Sequence, residues 1–574
     1  MDYLYIKLLI VLNLVCFSLG CFTQIINYPI DSLRTSQYTF LSNPAGLIFN
    51  QSFKYSELGF RYSNFFLEEK TSFNFYESPK TMIHYNTGAG FQLVGINHEQ
   101  NLSKNASLEI TYDKKNFEGF YTNDDADVSE FIARTIIKDS LKRRKLLISY
   151  ESIGNRISHN SGIDPFEVDD VESDFFSIAN RSSVSVQLQN AKRTDKAKSI
   201  KLFLENIFDK QANKSLYLGL QYSSVKNQYS DENALNSTYY NNLLGVNNFY
   251  TSIFDSINFK NISYKTGYTL KVLEGKFNVR MELESDFFNL TQTYLDSSSE
   301  ATSKNLIVST NSYFNGELID SNKNFRLKYS YNFVGNNKGN FNVTGDYTLL
   351  SDKLFVKSVY QKRQPDFIYQ RNSAPYKSYF NNLKGEKVFN FNITYKLSEI
   401  MIAYKFHRIS NYTFFNQFYN VQQLSSSSTI SELDVLYNKE INKFDLRSSA
   451  HLRISSDSIN LAPLGIDFSV FYDYSLFKKS LPMRVGLIAS YTSSYFADGY
   501  MPLLNVRYFQ DDFLVENYPL IDFYLDVHLN KAILYLKVDH INQGLTTDRV
   551  SFTIPHYAIT DRIIKFGVVW HFEN

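Results

Sequence analysis

Near the C-terminus, Asp522, Asp526, His528, Lys537 and Asp539 stand at alternate positions of two short runs, so that in an extended chain they share one face. Groups of both signs at this spacing form no linear catalytic motif. What they can do is line a polar surface and select small solutes by charge, as rings of side chains do in pores. Arg280, Glu282 and Glu284 repeat the pattern, and so do Arg447, His451 and Arg453. Acids and bases occur together, so no preference for anions or cations follows. The plainer alternative is a solvated wall whose mixed charges keep it wet.

Other candidate chemistry is thin. The nine histidines are scattered, with no His-Glu-x-x-His run, no Gly-x-Ser-x-Gly elbow and no phosphate loop, so neither an enzyme nor a cofactor is expected. The acidic run Asp164, Glu167, Asp169, Asp170, Glu172 and Asp174 matches no calcium-loop spacing and reads as a solvated loop, and no metal is expected. Lys142-Arg143-Arg144-Lys145 reads as a turn or a contact with anionic lipid head groups. The Tyr-rich stretch Asn236–Tyr250 suits sugar or peptide recognition, although a chain rich in Tyr has Tyr-rich loops in any case.

The elements that position the charged residues are strands. Ile521, Phe523, Leu525, Val527 and Leu529 alternate with Asp522, Tyr524, Asp526, His528 and Asn530. After a short turn, Ala532, Leu534, Leu536 and Val538 alternate with Ile533, Tyr535, Lys537 and Asp539. Ile564, Phe566, Val568, Trp570 and Phe572 then alternate with Lys565, Gly567, Val569 and His571. The same period of two recurs upstream, in Leu146-Ile148-Tyr150, Val184-Val186-Leu188, Ile200-Leu202-Leu204, Leu216-Leu218-Leu220-Tyr222 and Phe277-Val279-Met281-Leu283. Asp127 to Lys145 could pass for a helix but reads better as a hairpin. Short turns such as Asp139–Arg143, Leu273–Lys276, Asn336–Gly339 and Ser351–Lys353 contrast with long loops at Asn160–Asn180, Gln228–Asp255, Pro365–Lys384 and Asn411–Thr429. Short turns at one rim and long loops at the other are the habit of outer-membrane barrels.

Composition agrees. Of 574 residues 16% are aromatic, with 49 Phe and 43 Tyr but 1 Trp, a palette that favours strands. The mean hydropathy of -0.29 is too polar for a helical membrane protein and suits strands with only alternate residues in lipid. A net charge of +1 gives no support for a nucleic-acid partner. The two cysteines, Cys16 and Cys21, lie at the N-terminus, where Lys7 and the apolar run Leu8 to Leu19 read as a secretory signal over residues 1–23. Cleavage after Gly20 or Thr23 is expected, with lipidation of Cys21 as the alternative. Residues 24–50 read as an irregular segment, too short for the plug of an energised receptor. Residues 51–574 read as one all-β, antiparallel transmembrane barrel of about 18–22 strands. An apolar face of this extent needs lipid to cover it, and closure removes the unpaired edges that lipid would penalise.

Two stretches carry a family resemblance. Tyr518-Pro519-Leu520-Ile521-Asp522-Phe523, Leu534 through Gly544 and Arg562 through Phe572 resemble the C-terminal end of the putative porin family of Bacteroidota outer membranes. Ser56-Glu57-Leu58-Gly59-Phe60, the hairpin from Phe91 to Tyr112, Glu118-Gly119-Phe120-Tyr121 and Ser158 through Ile163 resemble its early strands. The loop Asn160-Ser161-Gly162-Ile163 departs from the family's Asn-Gly-Gly-Ile, and the middle third is similar in texture only. The resemblance implies an outer-membrane barrel and names no solute. Two functions stay open: a passive porin for small polar solutes, or a non-conducting barrel serving a barrel-assembly, protein-export or surface-lipoprotein complex. The expected partners are outer-membrane lipid, periplasmic chaperones and the barrel-assembly machinery, with other outer-membrane proteins or surface lipoproteins in the second case. Phe566, Val568, Trp570 and Phe572 are the expected assembly signal on the last strand.

Overall fold

The computed structural model describes residues 78–573 except 142, 164–183, 210–213, 236–238, 241, 242, 244–249, 274, 297–299, 457, 478, 479 and 546–550. The expected boundaries at residues 23 and 50, Cys21 and the acidic run 164–174 therefore lie outside the described residues. So does the early family-like stretch Ser56–Phe60.

Alternation in the sequence becomes a sheet of 22 antiparallel strands, the upper end of the expected range. Each strand pairs with the next along the chain. The first, Lys80–Gly88, pairs with the last, Ile563–Glu573, in an unbroken ladder from Lys80↔Glu573 to Gly88↔Lys565. The ring is thereby closed, with no free edge. Two-residue turns pivot on asparagines with left-handed backbone, Asn442 at φ 56° and Asn530 at φ 51°, which Asn tolerates better than other side chains. Asp127 to Lys145 is indeed a hairpin turn and its flanks, with Ala126–Lys138 pairing to Arg144–Ser158. Arg143 and Arg144 donate their backbone N–H groups to the Asp139 carboxylate, which closes that turn.

Strand lengths are unequal. Five consecutive strands, Lys192–Asp209, Lys214–Asp231, Ile253–Val272, Phe277–Leu295 and Ala301–Asp320, run to 18, 18, 20, 19 and 20 residues. The others have between 8 and 15. About nine to eleven residues of a tilted strand cross the hydrocarbon. The five long strands therefore rise roughly 15–25 Å beyond it.

Within the membrane, apolar side chains of this tall arc point outward. Ile200, Leu202, Leu204, Leu216, Leu218 and Leu220 are all exposed. Higher up, the polarity inverts while the period of two continues: Ala197, Val225, Ile257, Phe259, Phe288 and Leu290 pack inward as a buried cluster. The outward positions there are taken by Lys196, Lys226 and Lys260. The apolar parity switch marks where lipid ends.

All the long loops leave from the rim opposite the short turns. Asn336–Gly339, short though it is, belongs to the long-loop rim, between Phe325–Val334 and Phe341–Leu349. Long loops on outer-membrane barrels face outward from the cell, which sets the orientation. One expectation changes here. Val184-Val186-Leu188 is not a membrane strand; Val186 and Leu188 are buried in the loop layer, and Val186 bridges Ile163. Its apolar residues fill a core between loops, and a core of that kind accepts an alternating pattern as readily as lipid does.

Candidate functional site

The inner wall is built by register. Because paired strands place opposite residues on the same face, each inward charge meets inward charges one strand away. Lys537 is almost wholly buried, with Nζ 3.0 Å from Asp522 Oδ2 and 2.5 Å from Asp539 Oδ1. Lys565 approaches Asp539 at 2.6 Å from the last strand. Asp526 and His528 pair separately, at 3.1 Å. Asp522, Lys537 and Asp539 thus do come together, and Lys565 joins them, while Asp526 and His528 stand apart. Gly567 makes room there: a Cβ would meet the Tyr535 ring at 2.2 Å.

Further round the wall, Asp445 takes Arg447 at 2.5 Å and Arg484 at 3.5 Å, and Arg484 also holds Asp473 at 2.7 Å. Glu432 is shared by Lys405 and Arg453, and Asp434 by Lys405 and His451. Glu432, Asp434 and His451 bring ligand atoms within 4.8 Å of one another. Lys405 and Arg453 already neutralise the two carboxylates, so the group reads as a charge cluster. On the far arc, Arg134 lies between Glu151 at 3.1 Å and Glu109 at 3.6 Å. Arg280 stacks over the Tyr217 ring, 4.6 Å from its centroid, while the Tyr217 hydroxyl donates to Glu282 at 2.7 Å. Asn315 bridges Glu282 and Glu284 at 2.9 and 3.0 Å.

Every expected wall residue faces inward, and each has a partner. Arg280 and Glu282 belong to a different arc from the others, so the expected residues line a wall and form no single ring. Lys405, Glu432, Asp434, Arg484 and Lys565 were not singled out from the sequence. The signal for two of them was present in Glu432-Leu433-Asp434-Val435, which alternates as plainly as the last hairpin does. Phe566, Val568, Trp570 and Phe572 face the opposite way; Phe566 and Trp570 are about half exposed, and Trp570 and Phe572 stack at 4.8 Å.

Above the wall lies a roof. Five loops contribute to one apolar core, through Leu188 and Ala191, Tyr239 and Tyr240, Ile368 and Tyr376, Phe415, and Met501, Leu503 and Leu504. These loops spring from all round the ring. Arg193, on the sixth strand of the ring (Lys192–Asp209), donates Nη2 to the Pro502 carbonyl at 2.9 Å, and Pro502 belongs to the loop after the nineteenth (Leu481–Thr492). That contact crosses the mouth. The same loop adds a parallel bridge, Phe415↔Tyr508, with Phe509 N–H donating to Phe415 O at 2.7 Å. Phe367, from the loop after the thirteenth strand, packs against the inward apolar face of the tall arc. The long strands give the roof its abutment.

Tyr239 and Tyr240, from the Tyr-rich stretch whose composition suits recognition but needs no such role, are buried in the roof. Tyr240 donates to Asp231 at 2.9 Å and shares a 2.6 Å hydrogen bond with Tyr229, which satisfies the hydroxyls of Tyr229 and Tyr240. Burial raises Asp498 to about 6, although the Arg507 charge and a hydrogen bond from Asn460 pull it down. His159 is held down to about 3 by burial and the nearby Arg193, and stays neutral. An outer cleft of about 380 Å³ is lined by Lys304, Asn372 and Arg371, which stacks 5.1 Å from the Phe380 ring. No helix among the described residues is long and apolar enough to cross a membrane; the crossing is made by strands.

A closed ring of 22 strands, apolar outside, ion-paired within and bearing long loops at one rim, defines a β-barrel of the bacterial outer membrane. The sequence matches the family described as "Putative porin" across residues 39–574, and the chain belongs to that family. No curated protein sequence matches it. Among solved structures it is similar to the copper transporter OprC, at 10% identity and TM-score 0.63 over 88% of this chain and 82% of that one. The ferric-catecholate import receptor Fiu from K12 E. coli, in its closed form, is 12% identical with TM-score 0.58 over 87% and 83%. The ferripyoverdine receptor of the outer membrane of Pseudomonas aeruginosa is 12% identical with TM-score 0.59 over 87% and 72%. At such identities the likeness is one of fold alone.

Proposed function

We propose that the barrel is a channel for passive diffusion of small polar solutes, with no chemistry of its own. The observation that carries this reading is the inner wall, a closed surface on which carboxylates and cations of both signs are placed by strand register. A wall of paired charges is wettable without holding any one ion tightly, which is what conduction requires. The roof acts in this reading as a filter that admits solutes between its loops. Single-channel recording of the purified protein in a planar bilayer under a salt gradient tests it. Stepwise openings are expected, with a reversal potential that reads whether the acidic or the basic wall residues dominate; a folded barrel that passes no current overturns it.

The roof favours a second reading, since a mouth crossed from the sixth strand to the loop after the nineteenth leaves less room for free diffusion. In that reading the barrel is an accessory subunit of an assembly, export or surface-lipoprotein complex, and the loops are its docking face. Affinity purification from gently solubilised membranes distinguishes the two. A stoichiometric partner with a silent barrel supports the accessory role, and a lone conducting barrel supports the channel. In both, membrane lipid surrounds Phe566, Val568, Trp570 and Phe572, the proposed signal for chaperones and the assembly machinery.

A further inference from the structure

The outer surface of the tall arc carries a feature that neither lumen nor roof uses. Ile200, Tyr222 and Ile262 lie opposite one another on three neighbouring strands and form the last lipid-facing row. The next row outward is Lys198, Ser224, Lys260, and the one beyond it Lys196, Lys226, Asn258. Lys196 and Lys226 are direct cross-strand partners. Like charges at that separation, about 4.5–5.5 Å between Cβ atoms, repel and destabilise a sheet unless an anion sits between them.

Nothing among the described residues supplies that anion. All four lysines are exposed, and none takes part in an ion pair with another described residue. The outward Asp127, on the strand Ala126–Lys138, is already held by Lys114 of the neighbouring strand at 3.1 Å. Inward acids such as Asp195 and Asp255 are screened from the lysines by the sheet itself. The lysines begin one residue pair past the apolar band, where phosphate groups of outer-leaflet lipids lie. Their stems can follow the apolar surface while the ammonium groups reach those phosphates.

We propose that Lys196, Lys198, Lys226 and Lys260 form a binding site for the phosphate groups of an anionic glycolipid in the outer leaflet. Neighbouring strands are about 4.8 Å apart, so the four ammonium groups span a patch the width of one sugar-phosphate head group. Ser224, between Lys198 and Lys260, offers a hydroxyl to the same group.

The test is retention of lipid by the full-length barrel in detergent, read by native mass spectrometry. The probes are phosphorylated lipid A, the same lipid without its phosphate, and inorganic phosphate alone. The wild-type barrel is expected to retain the phosphorylated lipid at least about tenfold better than the stripped one, in line with roughly 1 kcal/mol for each basic residue near an anionic surface. Inorganic phosphate at millimolar concentration is expected neither to bind detectably nor to displace the lipid. The pair variant Lys196→Gln/Lys226→Gln, with the heat-modifiable gel shift confirming a folded barrel, is expected to lose that preference, while Lys196→Arg/Lys226→Arg keeps it. Equal retention of both lipids by the wild type, an unchanged preference in the Gln pair, or displacement by inorganic phosphate overturns the proposal. Conductance is not read, so the outcome is independent of whether the lumen is open.

Discussion

The wall of the barrel and the roof above it bury opposite kinds of surface. The wall hides charges: Lys537 and Glu432 are nearly inaccessible, each beside a group of opposite sign on the same or the next strand. The roof hides aromatic and aliphatic groups brought from loops hundreds of residues apart, with hydrogen-bonded polar groups such as the Tyr229–Tyr240 hydroxyl pair set among them. The wall's contacts are dictated by ladder register and so by local sequence. The roof's contacts have no register, and depend on loops meeting across the mouth. Strand order should thus make the wall rigid, while the roof should yield as a cooperative unit of lower stability.

The largest effect that would sharpen this contrast comes from removing the roof's crossing loop. Replacing residues 497–511 with a short Gly-Ser linker is expected to raise single-channel conductance several-fold and leave the barrel's heat-modifiable mobility unchanged. Unaltered conductance would show that the roof does not limit passage. Next, Lys537→Met leaves Asp522 without its cation and Asp539 with only Lys565. It is expected to cost about 3–5 kcal/mol in urea unfolding from liposomes, as breaking a buried pair does. A cost near zero would mean that water already solvates the wall, and the contrast would weaken.

Acidity should separate the regions further. Asp498 rises on folding from 3.8 to about 6, so the folded roof binds its proton more tightly than the unfolded chain does. This contribution is fully present below pH 3.8, fades as pH rises through 6 and is absent above. Hydrogen exchange in residues 495–515 is therefore expected to be slower at pH 5 than at pH 7.5, by up to about 1–3 kcal/mol of opening free energy. Asp498→Asn should flatten that dependence and leave exchange in the barrel strands unmoved. The smallest effect is Tyr240→Phe, which removes the hydrogen bonds to Tyr229 and Asp231. About 1 kcal/mol of roof opening is expected by the same measurement, with no change in the wall.

The two regions also differ in how far sequence reveals them. Ile521 to Leu529 and Ile564 to Phe572 announce their strands because lipid on one side and water on the other force a period of two. The same alternation placed Asp522, Lys537, Arg447 and Arg453 on the inner face. Which of them would meet was only partly legible, since Arg484 and Asp445 are brought together by the register of strands that sequence does not align. The roof was not legible. Val186 and Leu188 resemble a strand, and Tyr239 and Tyr240 resemble a recognition loop, because a core assembled from distant loops imposes no period on any of them. One long-range signal was there to be read. On the tall strands apolar residues change parity, Leu220 and Tyr222 giving way to Val225, and Tyr264 and Ile262 to Phe259 and Ile257. That slip marks the end of the membrane and the start of the roof's support.

The seam between Lys80–Gly88 and Ile563–Glu573 has a consequence in time. Every other ladder joins neighbours in the chain and can form as soon as both strands exist. This one joins residues almost five hundred positions apart, and its entropy of closure is correspondingly the greatest in the molecule. Until the final eleven residues have been made and delivered, the other twenty-one strands form an open ribbon with two bare edges. Loss of the last strand should therefore do more than shorten the ring: it should leave a sticky half-product whose fate is degradation or aggregation.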